Sequence, residues 1–368
     1  MPVKRILVLT TGGTIAGNVK SSDSARAASV QKETGLRGIL EHTLADIEIN
    51  WKVQVEIASE EIGNVDSSDI LPGHWTLIAN KIKERYEDYD GFIVTHGTNT
   101  MGYTCAALSF ALPNLSKCVA VTGSQIPFGK PASDAAMNLD NAVRVVAYPY
   151  EPGIRGVVCV FGSYIITGTR AKKASEFEID AFRAFGSGEL GRIGRIIQIN
   201  EANAARHNAY LGKTAAPALA ETDVICQADF DTRILSLTEY PGLDPDLLLS
   251  IFKQHVEGDE AIRGVILRAF GAGDASTHLR PCFEYLKEHE VPVVVTTQAP
   301  NGNSNFMVNE PGHELKQQKL AIPAFDMSIE AITTKLSWLL AQNVPYSEMQ
   351  TRMHADLHGE ITVFQERS

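Results

Sequence analysis

Two short stretches of the sequence combine glycine and threonine in a way that suits nucleophilic chemistry. "LTTGGTIAG" runs from Leu9 to Gly17, and "VTHGTNTMGYT" runs from Val94 to Thr104, each at the end of an apolar run. Adjacent glycines permit a turn with positive φ and leave backbone N–H groups unobstructed, so Thr14 could stand beside hydrogen-bond donors. The pattern favours Thr14 as a nucleophile in an oxyanion hole, with a tight turn without chemistry as the alternative.

The first stretch also has features of a nucleotide-binding loop, and its spacing tests that interpretation. Gly12 and Gly17 have the separation of a P-loop, but Asn18 stands where the lysine should be. A dinucleotide-binding turn would need glycine at the position of Thr14. Both nucleotide interpretations therefore fail on a particular residue.

The second stretch contains several hydroxyl groups near a predicted strand end. Thr98 lies nearest that end and is the better candidate for contact with a ligand, whereas Thr100 is predicted to cap a helix that begins near Met101. His96 has no metal-ligating neighbour at short spacing, so we expect a structural histidine bonded to the backbone.

Two further stretches offer polar groups at probable strand or helix ends. Asp66, Ser67, Ser68 and Asp69 precede a predicted helix; half of them are expected to cap it, and the remaining hydroxyls could bind a small polar ligand. The stretch "RGVVCVFGSYIITGTRAKKASEF" ends a strand and then offers Arg170, Lys172 and Lys173. One of these lysines, turned into a desolvated pocket beside a threonine, would have its charged form disfavoured and could serve as a base.

These residues need a scaffold that brings strand ends together, and the sequence predicts one. Runs rich in β-branched residues alternate with stretches of helical periodicity, which is typical of an α/β fold with a parallel sheet. Ligands of such sheets bind at the carboxyl ends of the strands, beside a topological switch point. The predicted strands of the first half are "RILVLTTGG", "WKVQVEIAS", "DGFIVTHG", "KCVAVTGS" and "RGVVCVFGS", and the predicted helices include "HWTLIANKIKERYEDY" and "SDAAMNLDNAVRVVAY".

The chain is predicted to contain two α/β domains, a larger N-terminal one and a smaller C-terminal one. Its 368 residues exceed what one hydrophobic core normally serves, and 44% of them are hydrophobic. An alanine- and asparagine-rich stretch with weak periodicity predicts a linker over 203–222, which separates domains 1–202 and 223–368.

Composition narrows the class of partners and the compartment. Acidic residues outnumber basic ones 44 to 33 and the formal charge is -11, so nucleic acid is an unexpected partner. No apolar stretch reaches the roughly 18 residues of a membrane helix, and no signal peptide is evident, which favours a soluble cytoplasmic protein without membrane association. The five cysteines are scattered, which argues against disulfides and structural zinc and predicts buried apolar roles.

Taken together, these stretches resemble the asparaginase family, in its cytoplasmic bacterial type I branch, over essentially the whole chain. The family motifs Thr-Gly-Gly-Thr-Ile and His-Gly-Thr-Asp-Thr-Met stand here as "TGGTI" and "HGTNTM". The segments "DSSDILPGHW", "TGSQIP", "YPGLDPDLLLSIF", "GVILRAFGAGD" and "MHADLHGEIT" also resemble type I segments, in the expected order.

The resemblance implies hydrolysis of L-asparagine to L-aspartate and ammonia, without a metal or an organic cofactor. Thr14 matches the nucleophile that forms an acyl-enzyme, Thr98 the second catalytic threonine, and Lys173 the lysine that hydrogen-bonds it. Asp66, Ser67 and Ser68 match the residues that hold the substrate α-carboxylate. A homodimer or homotetramer is implied, in which the C-terminal domain completes the neighbouring subunit's site.

Three departures from the family pattern bear on this expectation. The segment after the first motif lacks the family's lid tyrosine, since Tyr86 is the first tyrosine of the chain. Asn99 replaces the aspartate that pairs with the substrate α-ammonium, which lowers the expected affinity by a factor of about 10 to 100. Asp274 stands where the family usually has asparagine, so we hypothesise that carboxylate and amide have exchanged sides.

Alternative functions stay open at this point. Asn99 and the absent tyrosine both favour a hydrolase of another small amide or lactam that lacks a free α-ammonium. A non-catalytic amino-acid sensor with the same fold is a second alternative. An amidotransferase component acting on charged tRNA ranks last, because no basic surface signal is present.

Overall fold

A computed structural model of the chain describes residues 1–12, 25–210 and 224–362. Contacts between Cα atoms divide them into two compact units. The first comprises Met1–Ala228 with Leu357–Gly359, and the second comprises Asp229–Asp356 with the chain from Glu360. The predicted linker, 203–222, overlaps a helix at Glu201–Tyr210 and then enters a stretch outside the described residues, so that boundary stays a prediction.

The first unit is built on one mixed sheet, which is eight-stranded in the described residues. The strands are β1 (Val3–Thr10), β2 (Gln54–Glu61), β3 (Gly91–Thr95), β4 (Cys118–Thr122), β5 (Gly156–Phe161), β6 (Tyr164–Thr167), β9 (Glu189–Ile193) and β10 (Ile197–Ile199). Their spatial order is β10-β9-β6-β5-β4-β3-β1-β2. Two short strands, β7 (Ala171–Lys173) and β8 (Phe182–Ala184), pair separately as an antiparallel ribbon.

Strands β1 to β5 are parallel, as expected, but β6, β9 and β10 extend the sheet in antiparallel fashion. The prediction of a purely parallel sheet missed this extension. Only Gly162 and Ser163 lie between β5 and β6, and Gly162 has a φ of +53°. A two-residue loop can join only antiparallel neighbours, because parallel strands need a long crossover.

Helices cover both faces of the parallel strands, which explains why those strands read as continuous apolar runs. The helices of the first unit are α1 (Ala25–Trp51), α2 (Pro72–Glu84), α3 (Met101–Ala111), α4 (Ala135–Ala147) and α5 (Glu201–Tyr210). Ile6, Val8, Ile93 and Ala120 form one core with Leu139 and Val143 of α4. On α3 all residues except Tyr103 are buried, as its apolar composition requires.

The second unit has its own parallel sheet, with strand order β11-β12-β13-β14. Its strands are β11 (Ile234–Thr238), β12 (Gly264–Ala269), β13 (Val293–Thr297) and β14 (Ile322–Pro323). Its helices are α6 (Pro245–His255), α7 (Arg280–Glu288), α8 (Glu310–Gln317), α9 (Ile329–Ala341) and α10 (Tyr346–His354). Short 3-10 turns occur in both units, at Ser67–Asp69, Tyr86–Asp88 and Gly168–Arg170 in the first and at Thr277–Leu279 in the second. The two-domain α/β prediction is confirmed.

All five cysteines lie in described residues and are free thiols. Cys226 differs from the expectation of burial: it is partly exposed, and its thiol donates to the Asn80 Oδ1 atom at 3.4 Å. Among the described helices, none combines the length and apolarity needed to cross a bilayer.

Candidate active site

The candidate site lies at the carboxyl ends of the central strands of the first unit. The chain leaves β1 for β2 on one side and returns to β3 on the other, so the connection changes direction between β1 and β3. This is the topological switch point at which parallel sheets bind ligands. The loops after β2, β3 and β4 therefore project their side chains into one region.

Thr98, Asn99 and Lys173 come together there although the lysine is far away in sequence. The Lys173 ammonium donates to Thr98 Oγ1 at 2.8 Å and to Asn99 Oδ1 at 3.0 Å. Lys173 is the last residue of β7, and the two partners follow β3. Thr98 is buried and Lys173 is half-buried, so this contact is shielded from solvent on one side.

The environment of Lys173 destabilises its charged form relative to a lysine in water. Partial burial lowers the pKa of Lys173, and the nearby Glu176 carboxylate raises it by a smaller amount. Both described hydrogen-bond partners are neutral oxygens, which stabilise the ammonium less than a carboxylate would. A lysine of this kind can release and take up a proton closer to neutral pH than an ordinary one.

Two serines approach Asn99 from the loop after β2. The Asn99 backbone N–H donates to Ser67 Oγ at 3.3 Å, and its Nδ2 donates to Ser68 Oγ at 3.2 Å. The Ser67 hydroxyl acts as an acceptor here and retains a hydrogen to donate to a ligand, whereas the Ser68 hydroxyl donates its hydrogen to the Asp66 carboxylate. Asp66 accepts from the Ser68 backbone N–H at 2.8 Å, a bond that lowers the pKa of Asp66.

The loop after β3 is held tightly against these serines. A Cβ added to Gly97 would lie 2.7 Å from Ser67 Oγ, so only glycine permits this approach. The prediction that the Thr100 hydroxyl caps α3 was wrong. Thr100 is the first residue before the helix, but its side chain caps no helical N–H and donates to the Ser67 carbonyl at 2.6 Å.

His96 is buried and has a structural role, as expected. Its Nδ1 lies 2.7 Å from the Gly97 carbonyl and its Nε2 lies 2.9 Å from Thr104 Oγ1, which accepts from Trp75 Nε1 at 3.0 Å. Because a carbonyl only accepts, Nδ1 carries the hydrogen of the neutral ring. Burial lowers the pKa of His96 to about 4, so the ring stays neutral at physiological pH.

Gln125, which no sequence argument assigned to the site, contacts it directly. Thr98 Oγ1 donates to Gln125 Oε1 at 3.0 Å. Gln125 follows β4 in the segment "TGSQIP", and its place after a central parallel strand was the available signal.

The predicted nucleophile, Thr14, lies outside the described residues. The described chain reaches Gly12, whose φ of +99° agrees with the expectation of a left-handed turn. A Cβ there would lie 2.5 Å from the Val65 nitrogen, so the turn needs glycine. Just before it, Thr11 Oγ1 donates to the Thr95 carbonyl at 3.0 Å, which ties the ends of β1 and β3 together.

Asp274 belongs to the second unit, in the turn after β12. Its Oδ2 accepts from Asn309 Nδ2 at 2.6 Å. The exchange of carboxylate and amide between positions 274 and 99 stays a prediction. Across the described residues, no group of three or more His, Cys, Asp or Glu side chains has the geometry to hold a metal ion.

Comparison with known proteins extends the motif-based resemblance to both units. The model of the N-terminal asparaginase domain matches residues 5–205, and that of the glutaminase/asparaginase C-terminal domain matches residues 233–353. The chain belongs to the asparaginase family. This confirms the resemblance drawn from the two threonine motifs.

Relatives in the asparaginase family carry more than one name. L-asparaginase 1 of Escherichia coli strain K12 is 36% identical over 302 residues, which cover 81% of this chain and 82% of that protein. A glutamyl-tRNA(Gln) amidotransferase component from Methanococcus maripaludis strain C5 is 30% identical over 368 residues, covering 98% of this chain and 81% of that protein. These relatives share the family but are named for different reactions.

The fold of a solved asparaginase also matches. The thermostable L-asparaginase from Thermococcus kodakarensis superposes with a TM-score of 0.77 at 29% sequence identity, covering 98% of this chain and 100% of that one.

Proposed function

We propose that this protein hydrolyses the side-chain amide of L-asparagine to give L-aspartate and ammonia through a threonine acyl-enzyme. The observation that supports this most directly is the contact of 2.8 Å between Lys173 Nζ and Thr98 Oγ1 at the switch point of the sheet. A hydroxyl beside a partly desolvated lysine is the arrangement that proton transfer to and from a nucleophile requires. Membership of the asparaginase family supports the same reaction class.

In the proposed reaction the Thr14 hydroxyl oxygen attacks the amide carbon, and its proton passes to the pair of Thr98 and Lys173. Backbone N–H groups near Thr14 and Thr98 hold the oxyanion of the tetrahedral intermediate. Collapse breaks the C–N bond, and the nitrogen takes up a proton and leaves as ammonia. Water then attacks the ester, which releases the carboxylic acid and restores the hydroxyl. The proposed reaction uses no metal and no organic cofactor.

The proposed substrate grip uses Ser67 and Ser68, with Asp66 holding the turn that presents them. The Ser67 hydroxyl accepts from Asn99, so its hydrogen is available to a carboxylate of the substrate, and the Ser68 hydroxyl, which donates to Asp66, is proposed to turn towards the same carboxylate. Asp274 is proposed to approach the substrate ammonium in an assembled homodimer or homotetramer with shared sites. We place the protein in the cytoplasm, where free thiols and a small amide substrate are compatible.

A second candidate reaction is favoured by the geometry of Asn99. Its side chain is neutral and donates to Ser68 while accepting from Lys173, so position 99 offers no carboxylate to an ammonium group. A small amide or lactam without a free α-ammonium would lose nothing by this change. Succinamate, which is asparagine without its amino group, is the probe that separates the two substrates.

The test compares ammonia release from L-asparagine and from succinamate. We expect turnover of asparagine, a loss of at least about 1000-fold in Thr14→Ala, and measurable activity in Thr14→Ser, which retains the hydroxyl. Circular dichroism of both variants should match that of the parent. An acyl adduct trapped by rapid quenching should map to Thr14 in mass spectrometry.

Three outcomes would each overturn the proposed reaction, and a fourth would contradict the proposed assembly. Preference for succinamate would support the second candidate, and saturable asparagine binding without ammonia release would support the amino-acid sensor. Ammonia release that depends on added charged tRNA would support a function related to the amidotransferase relative. A monomer in analytical ultracentrifugation would contradict the shared sites.

A further inference from the structure

We propose that Gln125 is a positioning residue that sets the direction in which the Thr98 hydroxyl donates its hydrogen. The inference rests on the proposed function, since Thr98 is assigned there to proton transfer. It gives a role to the segment "TGSQIP", which resembles the family but contributes no group to the proposed reaction.

The Thr98 hydroxyl lies between one group that only donates and one that only accepts. Lys173 Nζ stands 2.8 Å away and, as an ammonium, can only donate, whereas Gln125 Oε1 stands 3.0 Å away and can only accept. The single hydrogen of the hydroxyl must therefore point to Gln125 while the lysine is charged. The three groups form a directional chain from ammonium to hydroxyl to amide oxygen.

The amide of Gln125 is oriented by its other end. Its Nε2 faces the backbone carbonyls of Ser175 and Glu178, each at 3.4 Å. A flipped amide would place Oε1 against two carbonyl oxygens and would lose both contacts. The acceptor oxygen is therefore directed to Thr98.

The backbone of Gln125 is anchored to the start of α4 by buried polar groups. Asp134 accepts from the backbone N–H groups of Gln125 and Ile126 at 3.0 and 2.9 Å. Asn138 donates from Nδ2 to Asp134 Oδ2 and to the Gly123 carbonyl, both at 2.9 Å. Asp134 and Asn138 are 3% and 0% exposed, so this anchor is rigid and desolvated.

The chain of hydrogen bonds couples Gln125 to the charge of Lys173. A hydroxyl that donates to an amide oxygen becomes a better acceptor, so Gln125 strengthens the bond from the ammonium to Thr98. When Lys173 is neutral, its lone pair competes with Gln125 for the same hydrogen, and the hydroxyl can turn towards the lysine. Gln125 thereby favours the charged lysine and holds a lone pair of Thr98 towards the ammonium, the orientation in which Thr98 accepts the proton that Lys173 returns.

Three carboxylates lie near these hydrogen bonds in the described structure, those of Glu176, Glu178 and Asp134. None of them forms a described hydrogen bond with the side chain of Lys173, Thr98 or Gln125. Glu176 raises the pKa of Lys173 without a hydrogen bond to it. Glu178 lies 3.6 Å from Arg183 through its carboxylate, and Asp134 is occupied by the backbone and by Asn138. Gln125 itself does not titrate, so its effect must be read through Lys173.

Two substitutions with opposite expected signs test the inference. Gln125→Met keeps the length of the side chain and removes the acceptor, so the pKa of Lys173 should fall by about half a unit. Gln125→Glu keeps the acceptor and adds a negative charge, so the pKa should rise by a similar amount. Ser133→Ala is the matched control: its hydroxyl donates to the Ile126 carbonyl at 2.9 Å in the same loop but does not touch Gln125 or Thr98.

The pKa of Lys173 is followed through the ¹³C shift of its ε-carbon in lysine-labelled protein, which requires no turnover. The low-pH limb of the kcat profile for asparagine should move in the same direction as the measured pKa. In Gln125→Met, kcat should fall about tenfold while KM changes less than about threefold, because the hydroxyl loses its alignment and the substrate grip is intact.

Shifts of the same sign in both variants, or shifts equal to that of Ser133→Ala, overturn the inference and indicate that Gln125 only packs the loop. If Gln125→Met does not fold, the sign of the Gln125→Glu shift decides alone. Absence of ammonia release from the unsubstituted protein defeats the proposed function but leaves the pKa measurement as a test of Gln125.

Discussion

Two lysines, one in each unit, show how differently the same side chain can be used. Lys335 on α9 is fully buried, and its ammonium donates to the carbonyls of Met353 and Ala355 and to Glu360 Oε1 at 2.6 Å. Lys173 is half-buried and, among the described residues, donates to a hydroxyl and an amide oxygen, both neutral. In the described structure each of the three N–H groups of Lys335 thus has an acceptor, and one of these acceptors is a carboxylate. Lys173 has two described acceptors, and neither carries a charge.

The contrast separates a lysine that stabilises the fold from one suited to chemistry. Complete coordination with a carboxylate suits Lys335 to stabilising the fold, because removal of either partner of this fully buried pair leaves the other without its counter-charge. Partial burial lowers the pKa of Lys173, and its neutral partners offset this less than a carboxylate would, so its proton is easier to remove. The partners of a buried lysine are therefore more informative about its role than burial alone.

The largest expected effect is on catalysis by Lys173→Met. We expect kcat for asparagine to fall about 1000-fold, because the proton-transfer partner of Thr98 is lost. The free energy of unfolding should change by less than about 1 kcal/mol, since neutral, partly exposed partners contribute little. Steady-state ammonia release and urea titration measure the two quantities. The control is the adjacent Lys172→Met, which should retain kcat within about threefold. Equal losses of kcat in the two variants would contradict a catalytic role specific to Lys173.

The second prediction makes Lys335 resemble Lys173. Glu360→Gln leaves the buried ammonium among neutral oxygens only, and the second unit should lose about 3 kcal/mol of stability. Urea or thermal unfolding measures the loss. The control is Glu284→Gln, which removes an exposed partner of Arg280 and should cost less than about 1 kcal/mol. Equal effects of the two substitutions would show that the buried pair is not a special stabilising feature.

The third prediction makes Lys173 resemble Lys335. Asn99→Asp places a carboxylate beside the ammonium and should raise the pKa of Lys173, by about one unit after allowance for solvent at this exposed position. A base with a raised pKa is neutral only at higher pH, so the low-pH limb of kcat should move upward. A pH series of kcat on the variant and the parent measures it. Asn99→Ala adds no charge, and an upward shift in that variant as well would contradict the electrostatic explanation.

Much of the candidate site follows from local sequence, because strand ends can be recognised without tertiary contacts. The polar residues after β2 and β3 were expected to meet, and Asn99 does so with Ser67 and Ser68. The contact between Lys173 and Thr98 was expected from the family resemblance and not from spacing, since 75 residues separate them. The roles of these residues stay predictions.

Other features were beyond local patterns. Thr100 has the sequence signature of a cap, but the carbonyl of Ser67, 33 residues away, competes successfully for its hydroxyl. Gln125 lies in a loop, and nothing in its local sequence predicts a role. Its contact with Thr98 and the anchoring of its backbone by Asp134 are visible only in the tertiary structure. A short connection such as the Gly162–Ser163 turn fixes the relative direction of the two strands that it joins. Which strands lie next to each other elsewhere in the sheet follows only from the hydrogen bonds between strands.

The sequence alone determined the α/β class, the family and the residue types that could perform the reaction, because periodicity and short motifs are local properties. The tertiary structure alone decided which hydrogen bonds those residues form, which lysine has a carboxylate and which has neutral oxygens. Hydrogen-bond direction and pKa depend on atoms within a few ångströms, and in this fold those atoms come from segments that lie far apart along the chain.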